Sequence, residues 1–206
     1  MKDKNFYFYL AAGTIAVITA IILLMRSVIF PKNIIKSLPG DAWPTRDAAQ
    51  ITDITLHHAA SAKNATPEDF NRWHRTEKGW PRIGYHYVVD RSGTVFKTNP
   101  VEAFSYHNGY NNQRAIGVCL VGNNDQYPPT YAQVLSARRL IRNLKAKYPQ
   151  IKNLRGHKEL PGANTACPGA YNKMSDWREK TGLGGAIFTT NALMGGIAYN
   201  SSQADN

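Results

Sequence analysis

The sequence predicts an α/β domain spanning about residues 49–181. Two observations carry this: strand-like segments alternate with helix-like segments that have their own start and stop residues, and the apolar run from Ala115 to Val121 reads as a central strand covered on both faces. A third, compositional observation agrees. The chain has 206 residues, 43% of them hydrophobic and 19% charged, which suits one globular domain with appendages.

The chain begins with an uncharged block from Phe6 to Met25. About 20 helical residues rising roughly 1.5 Å each match the roughly 30 Å of a bilayer core, so a transmembrane helix is expected over about 6–25, within an anchor at 1–30. A cleavable signal peptide would have a shorter apolar region, about 7 to 15 residues, ending at a small-residue site. Lys2 and Lys4 precede the block while Arg26, Lys32 and Lys36 follow it, so charge does not favour an outward C-terminus. Residues 31–48, with their prolines and lysines, read as a tether.

Ile51 to His57 alternates apolar and polar residues, placing His57 near a strand's C-terminal end. Thr66-Pro-Glu-Asp69 supplies an N-cap, a first-turn proline and acidic residues for a helix over about 67–78 that buries Phe70 and Trp73. Tyr85 to Asp90 and Thr94 to Lys97 form a hairpin turning at Arg91-Ser-Gly93. Thr130 and Gln133 have capping-box spacing at the start of an amphipathic helix reaching Lys147. A strand near 153–155 leads to His157, and a last short helix covers about 172–180. Residues 182–206, rich in Gly, Asn, Ser and Ala, are expected to be a flexible tail.

A net charge of +11 points to anionic surroundings: nucleic acid, acidic lipid headgroups or envelope polymers. No zinc-finger spacing or aromatic ribonucleoprotein motif is present, so nucleic acid is set aside. Cys119 lies in an apolar strand, where a buried thiol is an ordinary core residue.

His57, His157 and Cys167 form a candidate metal set. Two imidazoles and one thiolate are three protein ligands, and a zinc ion with three keeps its fourth position open, which is the arrangement of a hydrolytic site. His58 turns to the opposite strand face and is a fallback ligand. Glu159 is expected to hold His157 in its ligating tautomer.

Five ordered segments carry a resemblance: Thr55-Leu-His-His-Ala-Ala-Ser61, Gly84-Tyr-His-Tyr87 with Asp90-Arg-Ser-Gly-Thr94, Gly109-Tyr-Asn111 with Ile116-Gly-Val-Cys-Leu-Val-Gly122, Gly156-His-Lys-Glu159, and Thr165-Ala-Cys-Pro-Gly169. Together they resemble the zinc-dependent N-acetylmuramoyl-L-alanine amidases, in particular the amidase-type lysozymes of phages and the peptidoglycan recognition proteins. The resemblance implies a mixed central β-sheet flanked by helices and one zinc on His57, His157 and Cys167. It further implies hydrolysis of the amide joining N-acetylmuramic acid to L-alanine in peptidoglycan.

By the same resemblance Tyr85 stands beside the metal as a catalytic hydrogen-bond donor, and His107 and Asn111 belong to a substrate-facing loop. Thr165 occupies the place where the phage lysozymes carry a lysine; it resembles the recognition proteins there and is the second expected catalytic donor. Non-catalytic receptors of the family commonly lack the cysteine ligand, which this chain has. Phage lysis, wall penetration on entry and bacterial wall remodelling remain as roles. The combined expectation is a single-pass membrane protein with its domain outside the host membrane, or in the membrane of a phage particle. Its partners would be peptidoglycan and the lipid bilayer, with no nucleic acid and no required protein partner.

Overall fold

In the computed structural model the described residues are 30–184, with Thr14 and Thr19. Among the described residues six strands form one mixed sheet: β1 (Lys32–Asn33), β2 (Asp53–His58), β3 (Tyr87–Val89), β4 (Val95–Lys97), β5 (Ala115–Leu120) and β6 (Asn153–Gly156), in the order β1-β4-β3-β5-β2-β6. Of these neighbours only β3 and β4 pair antiparallel, as the expected hairpin; the others run parallel. Central β5 is buried along its whole length, as its continuous apolar sequence requires.

Strand alternation divides the core in two. Ile54, Leu56, Ile116, Val118 and Leu120 face helices α2 (Tyr131–Lys147) and α3 (Met174–Thr181), packing with Leu140, Ile141, Leu144 and Trp177. On the other side Val88 and Cys119 pack with Phe70 of α1 (Pro67–Thr76). His57, two residues beyond Thr55 on β2, is therefore carried on the α1 side, at the C-terminal edge of parallel strands.

The helix starts follow the sequence expectation. Thr66 accepts from the Asp69 N–H while Asp69 accepts from the Thr66 N–H, closing a capping box around Pro67. In α2 the expected reciprocal box is absent. Thr130 accepts from the Gln133 N–H, but the Gln133 side chain instead donates to the carbonyls of Val89 and Val121, at 2.9 and 3.0 Å. It staples α2 to two strands. Gln133→Leu removes both donors from a fully buried site and should destabilise the fold by about 2 kcal/mol, read as a lowered urea midpoint. An unchanged midpoint would show that the staple contributes nothing.

Two expectations are corrected by the structure, and that of a tail at its first residues alone. Trp73 is half exposed, because the buried stripe of α1 runs through Pro67, Phe70, Asn71 and His74 and leaves position 73 on its flank. Residues 31–48 are not a free tether: β1 pairs with β4, and Ile34, Leu38 and Trp43 are buried apolar anchors. Of the segment expected to be a flexible tail, Leu183 is buried and Gly184 bridges to Asn153, while 185–206 lie outside the described residues.

The expected transmembrane helix at about 6–25 also falls outside the description apart from Thr14 and Thr19. Among the described residues no helix is long and apolar enough to cross a membrane.

Candidate metal centre and cleft

Three chain segments converge at the β2 terminus. His57 ends its face of the strand, His157 opens a 3-10 turn directly after β6, and Cys167 returns on the following loop. That loop is tied back by the Lys158 N–H donating to the Cys167 carbonyl at 2.7 Å, and by the His58 N–H donating to Cys167 Sγ at 3.4 Å. One ligand atom from each of His57, His157 and Cys167 lies within 4.8 Å of the others, so the three can hold a metal ion. Cys167 Sγ is 3.6 Å from His57 Nδ1, and the two imidazole centroids are 4.7 Å apart.

Burial sets the charge of these groups. It holds the His57 imidazole well below its ordinary pKa and brings His157 down to about 4, so both offer neutral nitrogens at neutral pH. It pushes the Cys167 thiol up to about 12 in the absence of a cation. A bound divalent ion favours the thiolate, with release of one proton.

The centre opens into a cleft with about 240 Å³ of free volume, room for a chain segment beside the ligands rather than a sealed structural site. Tyr85 forms part of its wall, half-buried, with its ring centroid 5.4 Å from that of His57. Burial, reinforced by the two nearby cysteines, raises its phenol well above the ordinary value. The phenol stays protonated and is a donor, hydrogen-bonded to Cys119 in this structure. Thr165 is exposed on the rim, and its Oγ1 accepts from the Cys167 N–H at 3.1 Å, leaving its own proton available.

The remaining expected residues divide. His107 reaches the cleft floor, where Nδ1 lies 3.1 Å from His57 Nε2 and Nε2 lies 3.2 Å from the Ala115 carbonyl. Asn111 does not face the cleft: its side chain is buried and donates to Asp53, 3.3 Å away. Glu159 does not hold His157. Its carboxylate accepts from the Gly156 N–H at 2.8 Å and pairs with Arg178, which closes its own turn and pins α3. His58 lines the cleft without joining the metal set, its Nδ1 accepting from the Asn124 N–H.

Sequence reasoning missed an aromatic wall. Trp73, Trp80 and Tyr106 line the cleft, and Trp43 packs edge-on behind Tyr106 with centroids 4.8 Å apart. Gly84 permits the close approach, since a Cβ there would meet the Trp80 ring at 2.9 Å and the Tyr106 carbonyl at 2.0 Å. The available signal was Trp80 standing four residues before Gly84; Trp43 lay in the supposed tether.

His74 stacks on Trp80, and its Nδ1 accepts from the Gly84 N–H. Burial, with a smaller effect of Lys78, lowers its pKa to about 4. The unfolded chain takes up this proton near pH 6.5, the folded chain only near 4. The stability from the neutral ring is therefore complete above pH 6.5 and is lost as pH falls to about 4, by roughly 3 kcal/mol. Buried His86 acts in the same direction. Urea midpoints of the metal-free protein should fall steadily between pH 7 and 4; equal midpoints would contradict the buried neutral histidines.

The family described as N-acetylmuramoyl-L-alanine amidase matches residues 47–170. The endolysin of Escherichia phage T7 is 36% identical over 142 residues, covering 65% of this chain and 90% of the relative. Among solved structures, the endolysin amidase LysCS from Clostridium intestinale is 29% identical, with a TM-score of 0.63, covering 74% of this chain and 97% of that one. The Drosophila peptidoglycan recognition protein SD has a TM-score of 0.65 at 16% identity, over 77% of this chain and 99% of that one, and shares the fold.

The single-pass membrane assignment is corrected by these findings. The T7 endolysin is matched over 90% of its own length by 65% of this chain, and among the described residues no helix is long and apolar enough to cross a membrane. The outward-facing and particle-membrane localisations fall with it, and the bilayer partner is left without support among the described residues.

Proposed function

The chain belongs to the N-acetylmuramoyl-L-alanine amidase family, and on that premise we propose that it is a zinc-dependent endolysin that hydrolyses the bond between N-acetylmuramic acid and L-alanine of the stem peptide. The observation carrying the reading is the convergence of His57, His157 and Cys167 from three segments at the floor of an open cleft. The donor set fits the ion. Tetrahedral zinc with ligands at about 2.1 and 2.3 Å separates nitrogen from sulfur by roughly 3.6 Å, the spacing found between His57 Nδ1 and Cys167 Sγ.

When bound, zinc supplies Lewis-acid polarisation of the amide carbonyl and makes water acidic enough to attack near neutral pH. The protein supplies position and donors. Tyr85, held protonated, donates toward the carbonyl oxygen as negative charge gathers there. Thr165 offers a second hydroxyl from the rim, and its bond to the Cys167 N–H fixes where that hydroxyl sits. Trp73, Trp80 and Tyr106 present ring faces and edges against which a sugar or stem-peptide residue can lie, so the scissile bond is presented in one orientation.

The presence of all three ligand residues favours catalysis over a receptor that binds without cutting. The deciding experiment is product analysis of purified peptidoglycan after incubation with the protein. New L-alanine amino termini should accumulate without new reducing sugar ends; reducing ends in place of amino termini would assign a glycosidase instead.

A further inference from the structure

His107 lies in a segment for which the sequence suggested substrate contact, yet both its ring nitrogens are engaged inside the protein. Nε2 is 3.2 Å from the backbone carbonyl of Ala115, an atom that can only accept. The proton of a neutral His107 ring is therefore on Nε2, and Nδ1 carries the lone pair. That Nδ1 lies 3.1 Å from His57 Nε2, so the bond between the rings requires His57 to donate. His57 then has its proton on Nε2 and its lone pair on Nδ1, the nitrogen 3.6 Å from Cys167 Sγ.

We propose that His107 is a positioning residue: the Ala115 carbonyl, acting through His107, fixes His57 as the Nε2–H tautomer and so turns Nδ1 toward His157 and Cys167. The inference deepens the zinc reading above and rests on it for its consequence. The surroundings hold His107 in this role. The His107 and Asn108 N–H groups both donate to Asn112 Oδ1 at 3.0 Å, which sets the loop. The ring stands edge-on to His57, with centroids 5.3 Å apart at 85°. Gly117 provides the seat, because a Cβ there would lie 2.9 Å from two atoms of the His107 ring. Neighbouring His86 keeps out of the relay, with Nδ1 accepting from the Gly117 N–H and Nε2 facing the Ala103 carbonyl. An acceptor behind a metal-bound imidazole orients that ring, and its loss typically weakens metal affinity about 10- to 100-fold.

Two variants separate positioning from packing: H107N keeps an oxygen acceptor near the place of Nδ1, while H107L fills similar space without one. Long-range proton–nitrogen spectra of the metal-free full chain read the His57 tautomer directly. Nε2–H should dominate in the wild type and in H107N, with a mixture in H107L. Titration with zinc alone should give near wild-type affinity for H107N and a roughly 10- to 100-fold loss for H107L. The cobalt(II) visible spectrum should change only in H107L.

A mixed tautomer in the wild type, or equal affinities in H107N and H107L, overturns the assignment. A wild-type chain that shows the Nε2–H tautomer but binds no zinc leaves His107 setting the proton and sinks the zinc reading, so the two failures are told apart.

Discussion

Cys167→Ser should leave a folded protein that retains little zinc and has lost peptidoglycan hydrolysis. A serine hydroxyl is a harder donor than a thiolate and does not ionise at neutral pH, so the ion would be left with two imidazoles. Loss of a residue that merely orients a ligand typically costs 10- to 100-fold in affinity, and loss of a ligand itself should cost at least about 100-fold, near 3 kcal/mol. The fold should tolerate the change. Sγ to Oγ is a small contraction at a loop already held by the Lys158 N–H bond to the Cys167 carbonyl and by the packing of Pro168 against β6, where a Cβ on Gly156 would meet its ring at 2.8 Å. Metal analysis with circular dichroism checks this, and full zinc content in a folded C167S protein would remove the cysteine from the centre.

Tyr85→Phe should behave differently, keeping zinc while turnover falls by about 100- to 1,000-fold. The phenol is a donor placed beside the ligands without being one, and a donor that matters most as charge develops affects kcat more than KM. Its environment favours that role: burial and the two neighbouring cysteines all disfavour the phenolate, so the hydroxyl keeps its proton across the working pH range. The measurements are zinc content and steady-state kinetics on soluble wall fragments. Zinc lost along with activity would make Tyr85 part of the scaffold.

The centre was legible in the sequence because each ligand sits in its own local setting. His57 closes an alternating strand, His157 follows a short one, and Cys167 lies in a loop bounded by Thr165 and Pro168. The helix starts were legible for the same reason, as caps are local. What failed was long-range. Asn111 was expected at the cleft, but a buried Asp53 draws its amide away. Glu159 was expected to support His157, but its carboxylate is engaged by the Gly156 N–H and the α3 arginine. The supposed tether looked like a linker from its prolines, whereas Ile34, Leu38 and Trp43 bury apolar surface that only the folded sheet and cleft wall provide. Partner choice among buried polar groups depends on which elements meet, and spacing alone does not encode it.

X-ray absorption at the zinc edge of the purified protein tests the central claim most directly. One zinc per chain should be found, with a single sulfur at about 2.3 Å and nitrogen or oxygen neighbours at about 2.0–2.1 Å. A zinc shell without sulfur, or a protein that hydrolyses the amide with no zinc bound, would contradict the account.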